Sequence, residues 1–231
     1  MRSTPLARWL SIAAVAAHVA CKDAEPLGVV VAPTTSSPPQ VNAAHRISLS
    51  LHDLRITTGH VVELSSGRLH VTDPKTRFVA TGTPASAEMR FIYRGPTLGT
   101  TALASGEMRR QLGLKLRARD GCNVVYAIWR IEPESKLVVS VKRNEGATTH
   151  EDCGAGGYEN ITPARSAPIP ALLPNESHLL AARIDGTRMR VTIDAREVWE
   201  GELPQEAFTF NGPAGVRTDN VDVELDFSTG Q

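Results

Sequence analysis

The chain has 231 residues with 25 basic and 25 acidic side chains, so its net charge is near zero. That balance lacks the Lys/Arg surplus that neutralises phosphates, and no nucleic-acid partner is expected. A hydrophobic content of 41% supports a buried core, and aromatics are scarce at 5%, which makes the position of each tyrosine and tryptophan informative.

Arg2 and Arg8 give the chain a positive start, and Trp9 to Ala20 is an apolar run that ends in small residues. The pattern predicts a signal peptide over residues 1–20. The run is shorter than the roughly 20 apolar residues that span a bilayer. Val19-Ala20-Cys21 resembles the lipobox of bacterial lipoproteins, with His18 where that family prefers leucine. The resemblance implies a lipid on Cys21, attachment to a membrane through that lipid, and an envelope location, the outer membrane first. Cleavage after Ala16 or Ala17 and secretion is the alternative. Residues 21–44, rich in Pro, Ser, Thr and Ala, read as a tether.

Cysteine parity bears on the same point. Cys21, Cys122 and Cys153 are an odd number for an exported chain, and lipidation of Cys21 leaves Cys122 and Cys153 to pair. Such a bridge is expected to stabilise the fold by about 3–4 kcal/mol. Two free buried thiols are the alternative.

From His45 the apolar period becomes two. Ile47, Leu49 and Leu51 alternate with polar residues, as do Leu112, Leu114 and Leu116, and then Val221, Val223, Leu225 and Phe227. Alternation of this kind predicts antiparallel strands with one face on a core. Asn123 to Ile131 and Leu137 to Val141 are apolar on both sides and read as central strands. Asp120-Gly121, Asp185-Gly186 and Asn211-Gly212-Pro213 mark turns. With no amphipathic helix of ordinary length, residues 45–231 are expected to form one all-β domain, a two-sheet antiparallel β-sandwich of jelly-roll type.

The stretch His178 to Phe227 resembles the closing part of concanavalin A-like lectin/glucanase sandwiches, including laminin-G-like domains and bacterial 3-keto-disaccharide hydrolase-like proteins. Asp185-Gly186 matches the first turn of their pattern, Asp194-Ala195-Arg196 stands at the second without its glycine, and Gly215-Val216-Arg217 precedes the acidic last strand. The resemblance implies the sandwich fold, which hosts lectins, enzymes and inert modules alike. Gly113 to Pro133 is similar to myxobacterial secreted and lipoprotein families, which implies a Gram-negative envelope.

Glucanases of this fold carry alternating acids on one strand, and Asp222, Glu224 and Asp226 alternate in the same way. Alternate side chains lie about 6.5–7 Å apart on one face, within reach of a catalytic pair. The run lies at the C-terminal end and reads Asp-Glu-Asp, unlike the glucanase order, so a solvated acidic face is favoured over catalysis. Asp219, Asn220 and Asp222 could hold calcium but lack the spacing of a calcium loop, and no other cofactor or metal is expected. A ligand-binding face is the stronger expectation. If Leu112 to Leu116 point inward, Lys115 and Arg117 point outward, joined by Lys142, Arg130 and Tyr126, with His150 and Tyr158 on a loop that a Cys122–Cys153 bridge would brace. A Tyr/Trp platform among cations suits sugar rings or an anionic polysaccharide, whereas Tyr126 and Trp129 in the core would remove it. The expected function is therefore a non-catalytic carbohydrate-binding or structural module, with a glycoside hydrolase or a protein-interaction module as alternatives.

Overall fold

The computed structural model describes residues 46–230; the predicted signal peptide, Cys21 and the tether lie outside them. In chain order the strands are β1 (Arg46–Leu49), β2 (Arg55–Thr58), β3 (Val62–Glu63), β4 (Leu69–Val71), β5 (Lys75–Val79), β6 (Ser86–Pro96), β7 (Arg110–Leu116), β8 (Val124–Glu132) and β9 (Lys136–Lys142). A single helical turn, α1 (His150–Cys153), follows. Then come β10 (Tyr158–Asn160), β11 (Arg165–Ser166), β12 (Ser177–Asp185), β13 (Arg188–Ile193), β14 (Arg196–Glu202), β15 (Gly215–Asp219) and β16 (Val221–Gly230).

These strands form two antiparallel sheets. One has nine strands in the order β11-β14-β13-β12-β6-β16-β4-β3, with β1 also paired to β16. The other has seven, in the order β10-β9-β8-β7-β15-β5-β2. The sandwich expected from the alternating pattern is the one observed. Leu112, Leu114 and Leu116 point inward with Trp129, Phe78 and Val216 from the seven-stranded sheet. They meet Met89, Phe91, Leu225 and Phe227 from the nine-stranded sheet. Phe91 meets Trp129 edge-on at 5.9 Å, and Phe78 meets Phe227 edge-on at 5.7 Å, so the aromatic contacts bridge the two sheets.

A second, smaller apolar cluster of Val79, Ala118, Val124, Tyr126 and Ile128 lies on the other face of the seven-stranded sheet. It explains why β8 is apolar on both sides: Val124, Tyr126 and Ile128 pack in this cluster while Val125, Ala127 and Trp129 face the core. Leu179 to Arg183 lies in β12.

The turn that lacks its glycine has a conformational cost. Ile193 pairs with Arg196, so Asp194 and Ala195 form a two-residue hairpin loop, with φ of 51° and 64°. Both residues therefore occupy the left-handed region that such hairpins demand and that glycine and asparagine suit best. Asp194 is repaid by its carboxylate, which accepts from the Leu179 amide at 2.8 Å and contacts His178 Nδ1 at 2.8 Å. Ala195 has no such compensation. Ala195→Gly is expected to raise the stability of the domain by about 0.5–1 kcal/mol, read as a higher urea midpoint at unchanged slope.

Candidate functional site

The face of the seven-stranded sheet turned away from the core collects the charged and aromatic side chains that alternate with the core residues. Lys115 lies opposite Tyr126 on one side and Gly215 on the other. Arg217 lies opposite Gly113 and, on its far side, Arg77. Asp219 lies opposite Gln111. The two glycines are required by close backbone approach: a Cβ at Gly113 would sit 2.2 Å from the Ala127 carbonyl oxygen, and one at Gly215 would sit 2.0 Å from that of Phe78. They also leave bare floor beside the long cationic chains.

Asp219 is the carboxylate buried within this face. It is fully buried and accepts from Arg217 Nε at 2.9 Å, from Gln111 Nε2 at 2.7 Å, and from Arg77. Burial by itself would raise its pKa; the charges of Arg77 and Arg217, with the hydrogen bonds, reverse this and hold it down at about 2. Arg217 continues outward, with its guanidinium 5.2 Å from the Tyr126 ring centre and Nη1 donating to the Tyr158 hydroxyl at 3.0 Å. The Tyr126 and Tyr158 rings stack at 6.0 Å with 22° between their planes. Burial pushes the Tyr126 phenol up to about 12, against the pull of Arg217. Burial acts the same way on Tyr158, but the positive charges of Arg217 and Lys142 outweigh it and hold that phenol below its usual value.

Lys115 is 6% exposed, and its ammonium has no hydrogen-bond partner among the described residues. Burial, then the charges of Arg77, Arg217 and Arg55, push it down to about 7. Lys115 points away from the core as expected, but neighbouring side chains cover most of it.

The structure brings together Lys115, Tyr126 and Tyr158, with Lys142 and His150 beside them. Lys142 is committed locally. Its Nζ donates to the Gly154 carbonyl at 2.8 Å and the Gly121 carbonyl at 3.2 Å, and lies 5.1 Å from the Tyr158 ring centre. It thereby fastens the loop that the Cys122–Cys153 disulfide closes, whose Cα atoms are 5.9 Å apart. Exposed His150 opens α1 in that loop, where burial and the charge of Lys142 disfavour its protonated form.

Two expected members are not at this centre. Arg117 adopts φ 51°, leaves the strand plane, and donates to the Ala207 and Phe210 carbonyls while covering the Phe208 ring at 5.0 Å. Arg130 shares the face but lies opposite Gln111 and Lys136, two alternate positions beyond Tyr126, where burial and Arg109 disfavour its charge. Trp129 is in the core, so the second aromatic of the platform is Tyr158. Arg77, Arg217 and Gln111 were not singled out from the sequence. Their signal was the alternation of Lys75 and Arg77 with Thr76 and Phe78, and of Arg217 and Asp219 with Val216 and Thr218.

The acidic run lies on the opposite side of the molecule. Asp222, Glu224 and Asp226 project from the outer face of the nine-stranded sheet. Asp222 contacts His70 at 2.9 Å, Glu224 contacts Arg94 at 2.9 Å, and Asp226 contacts Arg68 at 3.5 Å. The three groups named for calcium do not converge. Asp219 is saturated by its donors, Asp222 is on the other sheet, and the Asn220 side chain donates to the Thr101 and Arg109 carbonyls. A groove of about 220 Å³ on that outer face has small residues such as Ala181 and Ser228 in its lining and includes no aromatic side chain.

No protein-family model matches the chain, and no curated protein matches it in sequence. Among solved structures it is similar to the carbohydrate-binding module CBM66 from Bacillus subtilis, with a TM-score of 0.50 and 16% identity over 75% of this chain and 91% of that one. It is also similar to a candidate glycosyl hydrolase from Parabacteroides distasonis, with a TM-score of 0.50 and 10% identity over 81% of this chain and all of that one. At these identities the likeness is one of fold, and it agrees with the concanavalin A-like sandwich expected from the sequence.

Lys115 gives the face a signature in stability. The unfolded chain holds the Lys115 proton up to its ordinary value of 10.5, whereas the folded chain holds it only to about 7. Between those values unfolding takes up a proton, so stability rises with pH. The wild type is expected to gain on the order of 3 kcal/mol between pH 7 and 9.5, and Lys115→Met should abolish most of that gain in urea titrations at each pH.

Proposed function

We propose that the protein is a glycan-binding module that uses the outer face of its seven-stranded sheet. The observation that carries this reading is the exposed Tyr158 ring, backed by buried Tyr126 and held by Arg217 at 3.0 Å and by Lys142 at 5.1 Å from its centre. A fixed aromatic face with a polar tip offers the C–H side of a sugar ring an apolar contact and its hydroxyls a hydrogen-bond partner. The names of the two structural neighbours, a carbohydrate-binding module and a candidate glycosyl hydrolase, support the same class of ligand.

Binding without hydrolysis is the favoured form of this function. Asp222, Glu224 and Asp226 are ion-paired away from the aromatic face, and the carboxylate buried in that face, Asp219, is committed to three donors. On a glycan array the full chain is expected to retain a defined set of glycans, and Tyr158→Ala should weaken that binding about five-fold, the equivalent of about 1 kcal/mol of aromatic contact. An array with no bound glycan would remove this reading.

The same proposal includes an envelope location through a lipid on Cys21. The Cys122–Cys153 disulfide supports it, because the remaining cysteine of an exported chain is then Cys21. Cys21→Ser is expected to move the protein from the membrane to the soluble fraction on cell fractionation; unchanged partitioning would leave export without an anchor.

A further inference from the structure

We infer that the glycan taken by this face is acidic, with a carboxylate or sulfate group seated against the Lys115 ammonium between Arg77, Arg217 and Arg55. The inference deepens the glycan-binding reading above and rests on it.

Charge matching carries the case. Lys115, Gly215, Val79 and Arg55 form one cross-strand row, and Arg217 and Arg77 lie opposite each other in the next row of the same face. Asp219 is the carboxylate buried with them, and Arg77 and Arg217 already use both of its oxygens. Lys115 therefore lies among like charges with no acceptor among the described residues. Buried cations are otherwise paired or hydrogen-bonded, because desolvation of an unpaired charge is expensive. A bound oxoanion supplies what the face lacks, and arginine side chains are suited to it by their fork of donors.

The groups around Lys115 on every side add no further negative charge at neutral pH. Tyr126, opposite it on β8, is a phenol held protonated by burial. Gly215, opposite it on β15, contributes no side chain. From β5 come Arg77 and, one alternate position further, Lys75 opposite Asp219; from β2 comes Arg55. Beyond Tyr126 lie Tyr158 of β10, Lys142 of β9 and His150 of α1; burial disfavours the charged form of Lys142, whose Nζ is fastened to backbone carbonyls. Exposed Tyr158 and the cation cluster share Arg217, so a saccharide ring on Tyr158 brings an acidic substituent towards that cluster. The anion favours the protonated lysine, so binding above pH 7 takes up a proton. Affinity then falls as pH rises, by up to about ten-fold per unit.

The test uses the full chain and two matched pairs of polymers: polygalacturonate against its methyl ester, and dextran sulfate against dextran. Titration calorimetry at pH 7 is expected to show at least one acidic polymer bound ten-fold or more tightly than its neutral partner, and the pair that discriminates tells carboxylate from sulfate. Repeating the titration in buffers of different ionisation enthalpy should reveal proton uptake at pH 8. Lys115→Met, which removes a buried charge and keeps the fold, should abolish both the discrimination and the uptake. Arg196→Met, an exposed arginine on the hairpin of the other sheet, should leave them unchanged. Equal affinity for acidic and neutral polymers, or binding of neutral glycans alone, would overturn the inference and leave the glycan-binding reading intact. Equal losses in the Lys115 and Arg196 variants would overturn it as diffuse attraction. Failure to bind any glycan sinks the broader reading as well.

Discussion

The buried carboxylate of Asp219 ties together the parts of the molecule that matter for its function. It ends β15, one residue before the chain enters β16 in the other sheet, and it accepts from Arg77 of β5, Arg217 of β15 and Gln111 of β7. Three adjacent strands are thereby joined by side chains as well as by their backbone ladders. Asn220 completes the corner with φ 58°, its amide proton on the Pro74 carbonyl and its side chain on Thr101 and Arg109. A corner bonded on every side sets the direction in which the face of the seven-stranded sheet points. An isolated buried carboxylate would be expensive, and three donors offset that cost.

The consequences spread across the face. Arginines anchored to Asp219 have few other orientations, so their charges are held where they disfavour the ammonium of Lys115. The same Arg217 covers Tyr126 and bonds Tyr158, while Lys142 and the disulfide brace the loop beside Tyr158. Side chains locked in this way bind a rigid partner with little further loss of freedom, which is where preorganised sites gain affinity. The site is thus built from core-like packing on the outside of a sheet, and its second apolar cluster is what holds it.

The two outer faces of the sandwich differ in charge matching. On the nine-stranded sheet each acid of β16 meets a basic partner: His70 for Asp222, Arg94 for Glu224 and Arg68 for Asp226. Such half-exposed pairs contribute little stability and need no ligand to satisfy them. On the seven-stranded sheet Arg77 and Arg217 share the carboxylate of Asp219, and Lys115 has no acidic partner among the described residues. The fold alone does not choose between lectin, hydrolase and inert module.

Much of the fold was legible from local pattern. Alternation marks β7, β15 and β16 because a pleated strand sends successive side chains to opposite faces, and runs that are apolar on both sides mark β8 and β9 as central. Cysteine parity pointed to the Cys122–Cys153 pair, and the parity of β8 put Tyr126 and Arg130 on one side and Trp129 on the other. The sequence could not say which of those sides faced the second sheet, nor which strands would be neighbours. Arg77, Gln111 and Arg217 come from separate parts of the chain, and β5, β15 and β7 become adjacent only through the tertiary topology. Arg117 left the face because a left-handed backbone turn redirected it, and Lys115 lost most of its exposure because neighbours from other strands cover it. Periodicity is a property of one strand and is written in its residues. Charge, burial and proton affinity at a site are sums over several strands, and those sums exist once the strands have been brought side by side.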